Sequence, residues 1–131
     1  MLVQEMVSAG EELLLGFATD PVFGPVVTVG LGGIYVEVIK DIAMRLAPIG
    51  LEDAQAMLRA LRAYPLLAGA RGRPLLDIDA LADCVVRVSW LAADMRGVLA
   101  ELDINPLRVL PRGQGVRVVD ALAIPCAAAG P

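Results

Sequence analysis

The feature that most constrains the fold is a change of hydrophobic period at Gly50. Before it, short apolar runs alternate with glycine and proline, which is typical of strands joined by tight turns. We predict strands at residues 2–7, 12–19, 26–29, 34–39 and 42–46. Because the turns between them are short, the sheet that they form should be mainly antiparallel.

After Gly50 the apolar residues fall at helical spacing. Residues 51–62 carry an apolar stripe, with acids in the first turn and arginine in the last, as the helix dipole favours. Asp77 is a predicted N-cap for a longer helix that runs to about Met95, with Gly97 as its stop signal. The predicted fold class is therefore α+β, a mainly antiparallel sheet with two helices packed on one face.

The last third of the chain returns to strands. We predict strands at residues 99–105, 107–110 and 116–119, the last two forming a hairpin, and a flexible tail at residues 125–131.

Composition excludes several classes of function. The chain has 131 residues, 57% of them hydrophobic but only 4% aromatic, so we expect one domain with an aliphatic core. A net charge of −4 argues against binding to nucleic acid or an anionic membrane. The absence of histidine removes the commonest general base and metal ligand.

The compartment follows from three further features of the sequence. The two cysteines have neither metal-site nor disulfide spacing, which indicates a reducing environment. The first residues lack the basic and apolar regions of a signal peptide. The longest uncharged run near the front, residues 21–36, is too short for a membrane span and contains glycine and proline. We therefore expect a soluble, cytoplasmic protein.

The polar segment 101–107 (ELDINPL) carries the first candidate site. Read as a strand, it places Glu101, Asp103 and Asn105 on one face and its apolar residues on the other. Three oxygen-bearing side chains on one face suit a hard cation such as Mg²⁺. A solvated edge strand is the alternative. Pro106 should end or kink this strand, because it lacks a ladder donor.

The following hairpin decides whether Asp120 joins this set. Pairing Leu110 with Val116 places Asp120 opposite Pro106, one residue from Asn105. Because a one-residue slip exchanges the faces of a strand, the register must shift by one, through a bulge or a shorter loop. With that shift, Asp120 converges with Asn105 and Asp103.

Other candidates are weaker. The glycine stretch 30–33 follows a strand but leads into another extended segment, whereas phosphate-binding glycine loops lead into a helix, so a tight turn is favoured. The loop arginines Arg71 and Arg73 are either phosphate contacts or solvated charges. Trp90 falls on the charged stripe of the second helix, where it is either an exposed aromatic or a contact with another domain or chain.

Six motifs in chain order together resemble the signatures of one family. They are residues 20–27 (DPVFGPVV), 30–38 (GLGGIYVEV), 45–48 (RLAP), 66–72 (LLAGARG), 101–107 (ELDINPL) and 118–121 (VVDA). The family is the ATP-grasp region of ADP-forming acyl-CoA synthetases, such as acetate–CoA ligase, and is related to the succinyl-CoA synthetase beta subunit. The resemblance covers nearly the whole chain and implies one ATP-grasp C-terminal subdomain at residues 1–124.

The resemblance also implies ligands and site residues. Mg²⁺ and ATP are the expected cofactors. The metal ligands would be Asn105 and Asp120, with Asp103 as a third or water-mediated ligand. Two pairs of residues would bind the nucleotide. They are Glu5 and Met6 beside the adenine, and Gly32 and Gly33 near the phosphates. No residue of this chain is expected to act as a catalytic group.

The match omits parts that the family needs. The family's lid subdomain, with its phosphate-binding lysine, has no counterpart here, and Lys40 does not match that lysine. With no histidine in the chain, the phosphohistidine relay and the CoA-binding domains must lie elsewhere. The resemblance therefore predicts the metal- and nucleotide-binding half of an acid–thiol ligase, inactive alone. The alternative is a non-catalytic interaction module that forms a homo-oligomer.

Overall fold

The structure, a computed structural model, describes residues 11–31, 41–72 and 74–126. Its strands, in chain order, are β1 (Glu11–Asp20), β2 (Gly24–Leu31), β3 (Ile42–Leu46), β4 (Leu99–Val109), β5 (Val116–Val118) and β6 (Ala121–Pro125). Its helices are α1 (Leu51–Ala60), α2 (Tyr64–Leu67) and α3 (Ile78–Asp94), with a 3-10 turn at Ala70–Gly72.

The strands form one antiparallel sheet in the order β3-β2-β1-β4-β5, and β6 also pairs with β4. The predicted α+β class with a mainly antiparallel sheet is confirmed. The strands predicted at residues 12–19, 26–29 and 42–46 are present with slightly different ends. Those predicted at 2–7 and 34–39 lie outside the described residues.

The core lies between one face of the sheet and the helices α1 and α3. It is aliphatic, as composition predicts, with alternate strand residues meeting the apolar stripes of the two helices. Its largest fully buried apolar side chains, among the described residues, are Leu13, Leu15, Val27, Val29, Leu107 and Val109 from the sheet, and Met57, Leu58, Leu67, Leu81 and Val85 from the helices. None of the helices among the described residues is long and apolar enough to cross a membrane.

The helix ends follow local chemistry. The Asp77 carboxylate accepts a hydrogen bond from the backbone N–H of Ala80 at 3.2 Å, so the predicted N-cap is confirmed. Gly97 has a φ of +85°, the left-handed conformation expected of a helix stop. The segment before α3, where the sequence places the loop arginines Arg71 and Arg73, is not all loop, because it contains α2 and the 3-10 turn. Pro65 lies in the first turn of α2, where its fixed φ favours the helix.

Two polar side chains are buried on the helix-covered side, and both bond to backbone. The Asp41 carboxylate is 6% exposed and accepts hydrogen bonds from the N–H groups of Arg62 at 2.6 Å and Ala63 at 2.9 Å. The hydroxyl of Ser89 accepts from the N–H of Ile49 at 3.0 Å. Buried polar groups cost free energy unless they are paired, so these contacts fix the junction between β3 and the helices.

Candidate metal centre

The two faces of β4 differ as the sequence predicts. Leu102 and Ile104 face the core, while Glu101, Asp103 and Asn105 are exposed on the opposite side of the sheet. We call that side, which also carries Thr28 on β2 and Met44 on β3, the open face. The described helices all pack on the other side, so the open face is not needed to close the core.

A bulge in β4 changes its alternation at Pro106. Along β1, Leu13 pairs with Leu107 and Leu15 with Ile104, so β4 has one more residue than β1 between these pairs. Ile104 and Leu107 are therefore both buried although they are three residues apart. The strand continues through Pro106 rather than ending there, and the bulge accommodates a residue that has no N–H to donate.

The return strand has the register that brings Asp120 to Asn105. Val109 pairs with Val116, and the backbone N–H of Asn105 donates to the carbonyl of Asp120 at 3.1 Å. The N–H of Leu110 donates to the carbonyl of Gly115 at 3.0 Å, so Leu110 lies opposite Gly115 rather than Val116, and the predicted one-residue shift is present in a loop one residue shorter. Directly opposite residues in an antiparallel pair project to the same face, with Cβ atoms about 5 Å apart. Asp103 follows two residues away on that face, opposite Leu122.

The three side chains are available to a ligand. Asp103, Asn105 and Asp120 are all exposed. One oxygen of Asp120 accepts from the N–H of its neighbour Ala121 at 2.9 Å, which orients this carboxylate. Across residues 11–31, 41–72 and 74–126, no three acidic or cysteine side chains form a metal-holding group. The candidate set is instead mixed, with two carboxylates and one amide oxygen, all of which are donors that Mg²⁺ accepts.

Small residues lie beside this set on the open face. Gly16 pairs with Asp103, and a Cβ at Gly16 would collide with the carbonyl oxygen of Leu102. Glycine is therefore required for β1 and β4 to approach closely at the candidate centre. Leu122 on β6, directly opposite Asp103, is 60% exposed, so an apolar side chain borders the polar strand on its β6 side, whereas the exposed Met44 on β3 lies three strands away from β4.

Sequence reasoning missed two charged residues of the open face. Nη2 of Arg108 lies 2.6 Å from Oε2 of Glu12, across β4 and β1. In an unbroken strand Arg108 and Asn105 would project to opposite faces, since they are three residues apart. The bulge at Pro106 places both on the open face. The signal in the sequence was Pro106 itself, which indicated a break in the alternation.

Most of the other residues that the sequence singled out lie outside the part of the chain that the structure describes. Glu5, Met6, Gly32 and Gly33 lie outside the described residues, as do Arg73 and the side chain of Arg71. Trp90 is 52% exposed on α3, as its position on the charged stripe predicts, and its role as a contact stays a prediction.

A shallow depression of about 260 Å³ lies elsewhere, at the start of α3, lined in part by Tyr64, Asp77, Asp79 and Arg112. Asp77 there also accepts hydrogen bonds from the N–H groups of Gly113 at 3.1 Å and Gly115 at 2.7 Å. This carboxylate thus ties the turn after β4 to the helix, and the depression belongs to the scaffold.

Comparison with known proteins identifies the family. A family model for the ATP-grasp domain matches residues 1–124. The beta subunit of acetate–CoA ligase (ADP-forming) II from Pyrococcus furiosus is 43% identical over 124 residues, which are 95% of this chain and 52% of that protein. Acetate–CoA ligase (ADP-forming) I from Archaeoglobus fulgidus is 48% identical over 116 residues, covering 88% of this chain and 17% of that protein.

Solved structures agree with the sequence relatives. The dinucleotide-forming acetyl-coenzyme A synthetase 1 of Ca. Korarchaeum cryptofilum superimposes with a TM-score of 0.83 and 40% identity, over 89% of this chain and 54% of that chain. That structure contains coenzyme A and Mg-AMPPCP, and its phosphohistidine segment points towards the nucleotide-binding site. This chain therefore spans about half the length of these proteins, 52% of the beta subunit from Pyrococcus furiosus and 54% of the solved chain. It belongs to the ATP-grasp domain family and corresponds to the ATP-grasp region of ADP-forming acyl-CoA synthetases.

Proposed function

We propose that this chain provides the metal- and nucleotide-binding half of the ATP site of an ADP-forming acyl-CoA synthetase. The observation that carries the proposal is the pairing of Asn105 with Asp120, which brings an amide and a carboxylate to one face beside Asp103. These oxygen donors remain in water although the sheet has a fully formed core on its other face.

The donor set fits Mg²⁺ by its chemistry. Mg²⁺ is usually held by one or two carboxylates together with substrate phosphates. When bound, the metal neutralises negative charge on the phosphates, which supplies much of the catalysis in phosphoryl transfer. The residues of this chain would hold the metal and orient its ligand oxygens. The backbone bond between Asn105 and Asp120 fixes their spacing, and the N–H of Ala121 fixes one oxygen of Asp120.

The nucleotide is proposed to be ATP, bound over the open face. Its phosphates are proposed to meet the carboxylate edge, where Leu122 lies opposite Asp103. Glu5 and Met6 are proposed to line the adenine pocket, and Gly32 and Gly33 to lie near the phosphates, as the resemblance implies.

The full reaction is proposed to convert an acid, CoA and ATP into acyl-CoA, ADP and phosphate, as the names of the relatives indicate. They include an acetate, a 4-hydroxybutyrate and a trans-feruloyl enzyme, so the acid that is used differs within the family. The sequence contains no histidine. We therefore propose that CoA-binding and phosphohistidine-bearing domains complete the enzyme, and that this region is inactive without them.

Calorimetric titration of the chain with ATP, with and without Mg²⁺, tests the proposal. We expect binding that requires Mg²⁺ and that weakens at least about tenfold in Asn105→Ala and Asp120→Asn, since loss of even an outer-shell partner costs a metal site that much. Asp83→Asn, which changes an exposed carboxylate on α3, is the matched control and should bind as the wild type does. Metal-independent binding, equal affinity in all variants, or no binding by the wild type would contradict the proposal.

A non-catalytic contact module remains the alternative. The exposure of Trp90 and of its neighbour Leu91, at 52% and 39%, favours a contact surface on α3. Light scattering decides this point, because a homo-oligomer should gain mass with concentration and Trp90→Ala should abolish that gain.

A further inference from the structure

The register of the return strand β5 is only weakly specified by burial. β5 has three residues and lies at one end of the strand order of the sheet. Val116 packs partly against the core, whereas Arg117 is exposed and Val118 is 55% exposed. A register is strongly specified where one face of a strand is buried. Contacts other than burial must therefore select the register that β5 adopts.

The choice of register decides where Asp120 lies. In the structure Leu110 lies opposite Gly115, and the N–H of Asn105 donates to the carbonyl of Asp120 at 3.1 Å. A slip of one residue would exchange the faces of the return strand and turn Asp120 away from Asn105. The candidate metal centre therefore depends on which residues close the hairpin.

Asp77 contacts both residues that close it. The backbone N–H of Asp77 donates to the carbonyl of Leu110 at 2.8 Å, and Oδ2 of its carboxylate accepts from the N–H of Gly115 at 2.7 Å. The same oxygen accepts from the N–H of Gly113, inside the loop, at 3.1 Å. Hydrogen bonds to an ionised carboxylate are stronger than those between neutral groups, so these contacts favour the short loop of residues 111–114.

The position of Asp77 is fixed by the helix layer and not by the hairpin. Its other oxygen, Oδ1, accepts from the N–H of Ala80 at 3.2 Å and caps α3. Leu81 and Val85 anchor this helix in the core, where both are 0% exposed. Capping the helix uses one carboxylate oxygen, and the second oxygen connects the helix to the hairpin.

We propose that Asp77 is a positioning residue for the metal centre. Its carboxylate selects the register of β5 and thereby places Asp120 opposite Asn105, without contact between Asp77 and the metal. The inference rests on the proposed function for the role of Asp120 as a metal ligand. The register itself is a property of the chain without metal, so the two can be tested separately.

The test compares Asp77→Ser with the wild type by NMR on the chain labelled with ¹⁵N and ¹³C. Serine is a favoured N-cap, so it keeps the bond from Ala80 but loses the two bonds from the loop. We expect the scalar coupling across the hydrogen bond from Asn105 to Asp120 to be lost. The reference is the same coupling from Ala47 to Pro25, across a 2.9 Å bond beside β3, which should be unchanged.

A titration with Mg²⁺ then connects the register to the metal. The apparent affinity of a site falls in proportion to the fraction of molecules in the binding-competent state. In Asp77→Ser the Mg²⁺ affinity, followed at the backbone amide of Asp120, should therefore fall by the same factor as the population of the native register. Asp79→Ser changes an exposed carboxylate in the same turn of α3 and is the matched control, which should keep both the coupling and the affinity.

Three results would overturn the inference. The first is an unchanged coupling from Asn105 to Asp120 in Asp77→Ser and in the nearly isosteric Asp77→Asn, which serves if the serine variant fails to fold. The second is loss of both couplings together in Asp77→Asn, which would assign Asp77 to overall stability. The third is an altered register with unchanged Mg²⁺ affinity, since Asp77 would then position no ligand.

Failure of the proposed metal centre has a different signature. If the wild type binds no Mg²⁺ while Asp77→Ser still loses the coupling from Asn105 to Asp120, the metal centre is contradicted and the control of the register by Asp77 stands. If the wild type binds Mg²⁺ and the coupling survives in both Asp77 variants, the metal centre stands and this inference is removed.

Discussion

The two faces of the sheet use carboxylates in opposite ways. On the helix-covered side, Asp41 is 6% exposed and accepts hydrogen bonds from two backbone N–H groups. On the open face, Asp103 is exposed and accepts no hydrogen bond from any residue that the structure describes. A buried carboxylate must be bonded for the chain to fold, whereas an exposed one is not required by the fold. The comparison therefore separates residues that stabilise the domain from residues available to a ligand.

The largest expected effect compares two leucines on opposite faces. Leu15 on β1 is 0% exposed and contacts the helix layer, whereas Leu122 on β6 is 60% exposed beside the candidate metal centre. Leu15→Ala should lower the free energy of unfolding by about 2–5 kcal/mol, because it leaves a cavity in the core. Leu122→Ala should change that free energy by less than about 0.5 kcal/mol. Urea denaturation measures both.

The leucine pair also has an outcome that would break the comparison. If Leu122→Ala destabilises the chain as much as Leu15→Ala does, the open face is covered in the folded protein, and its side chains are structural after all.

A smaller effect is expected for the two carboxylates. Asp41→Asn keeps the shape of the side chain but turns an NH₂ group towards one of two backbone N–H donors, which should cost about 1–3 kcal/mol. Asp103→Asn has no such bond to lose, so its free energy of unfolding should match the wild type. Thermal unfolding monitored by circular dichroism separates the two, and equal melting temperatures for both variants would contradict the division of roles.

The buried residues of the helix-covered face could be predicted from the sequence. On the open face, only the polar residues of β4 and the return strand could be predicted. Alternation along β1 and β4 and the apolar stripe of α3 identified most of the core, because burial requires those periods. The number of residues in the hairpin brought Asp120 only to within one residue of Asn105, and the observed pairing needed a one-residue shift in register that the count does not supply. β6 was missed because all five of its side chains are exposed, so that its sequence has no period of buried residues. The contact of Arg108 with Glu12 was missed since it depends on a bulge and on a partner 96 residues away.

Asp20 sharpens the comparison because it is only partly exposed and is bonded to backbone without being buried. It is the last residue of β1, and its carboxylate accepts hydrogen bonds from the N–H groups of Val22 at 2.7 Å and Phe23 at 2.9 Å in the turn that follows. These bonds, chiefly the one from Phe23, hold the pKa of Asp20 below its ordinary value. A carboxylate that is not buried is therefore not thereby available to a ligand.

The smallest predicted effect follows from that lowered pKa. A group whose pKa is lower in the folded chain stabilises it above the unfolded pKa, and this contribution is lost as the pH falls through the folded pKa. Asp20→Asn cannot titrate, so its melting temperature should lie slightly below that of the wild type at neutral pH and approach it in acid. Asp103→Asn, which alters an exposed carboxylate on β4 away from any helix end, is the control and should follow the wild type throughout the pH series. If the melting temperature of Asp20→Asn also follows that of the wild type at every pH, the Asp20 carboxylate does not stabilise the fold. Burial alone would then separate structural carboxylates from those available to a ligand in this domain.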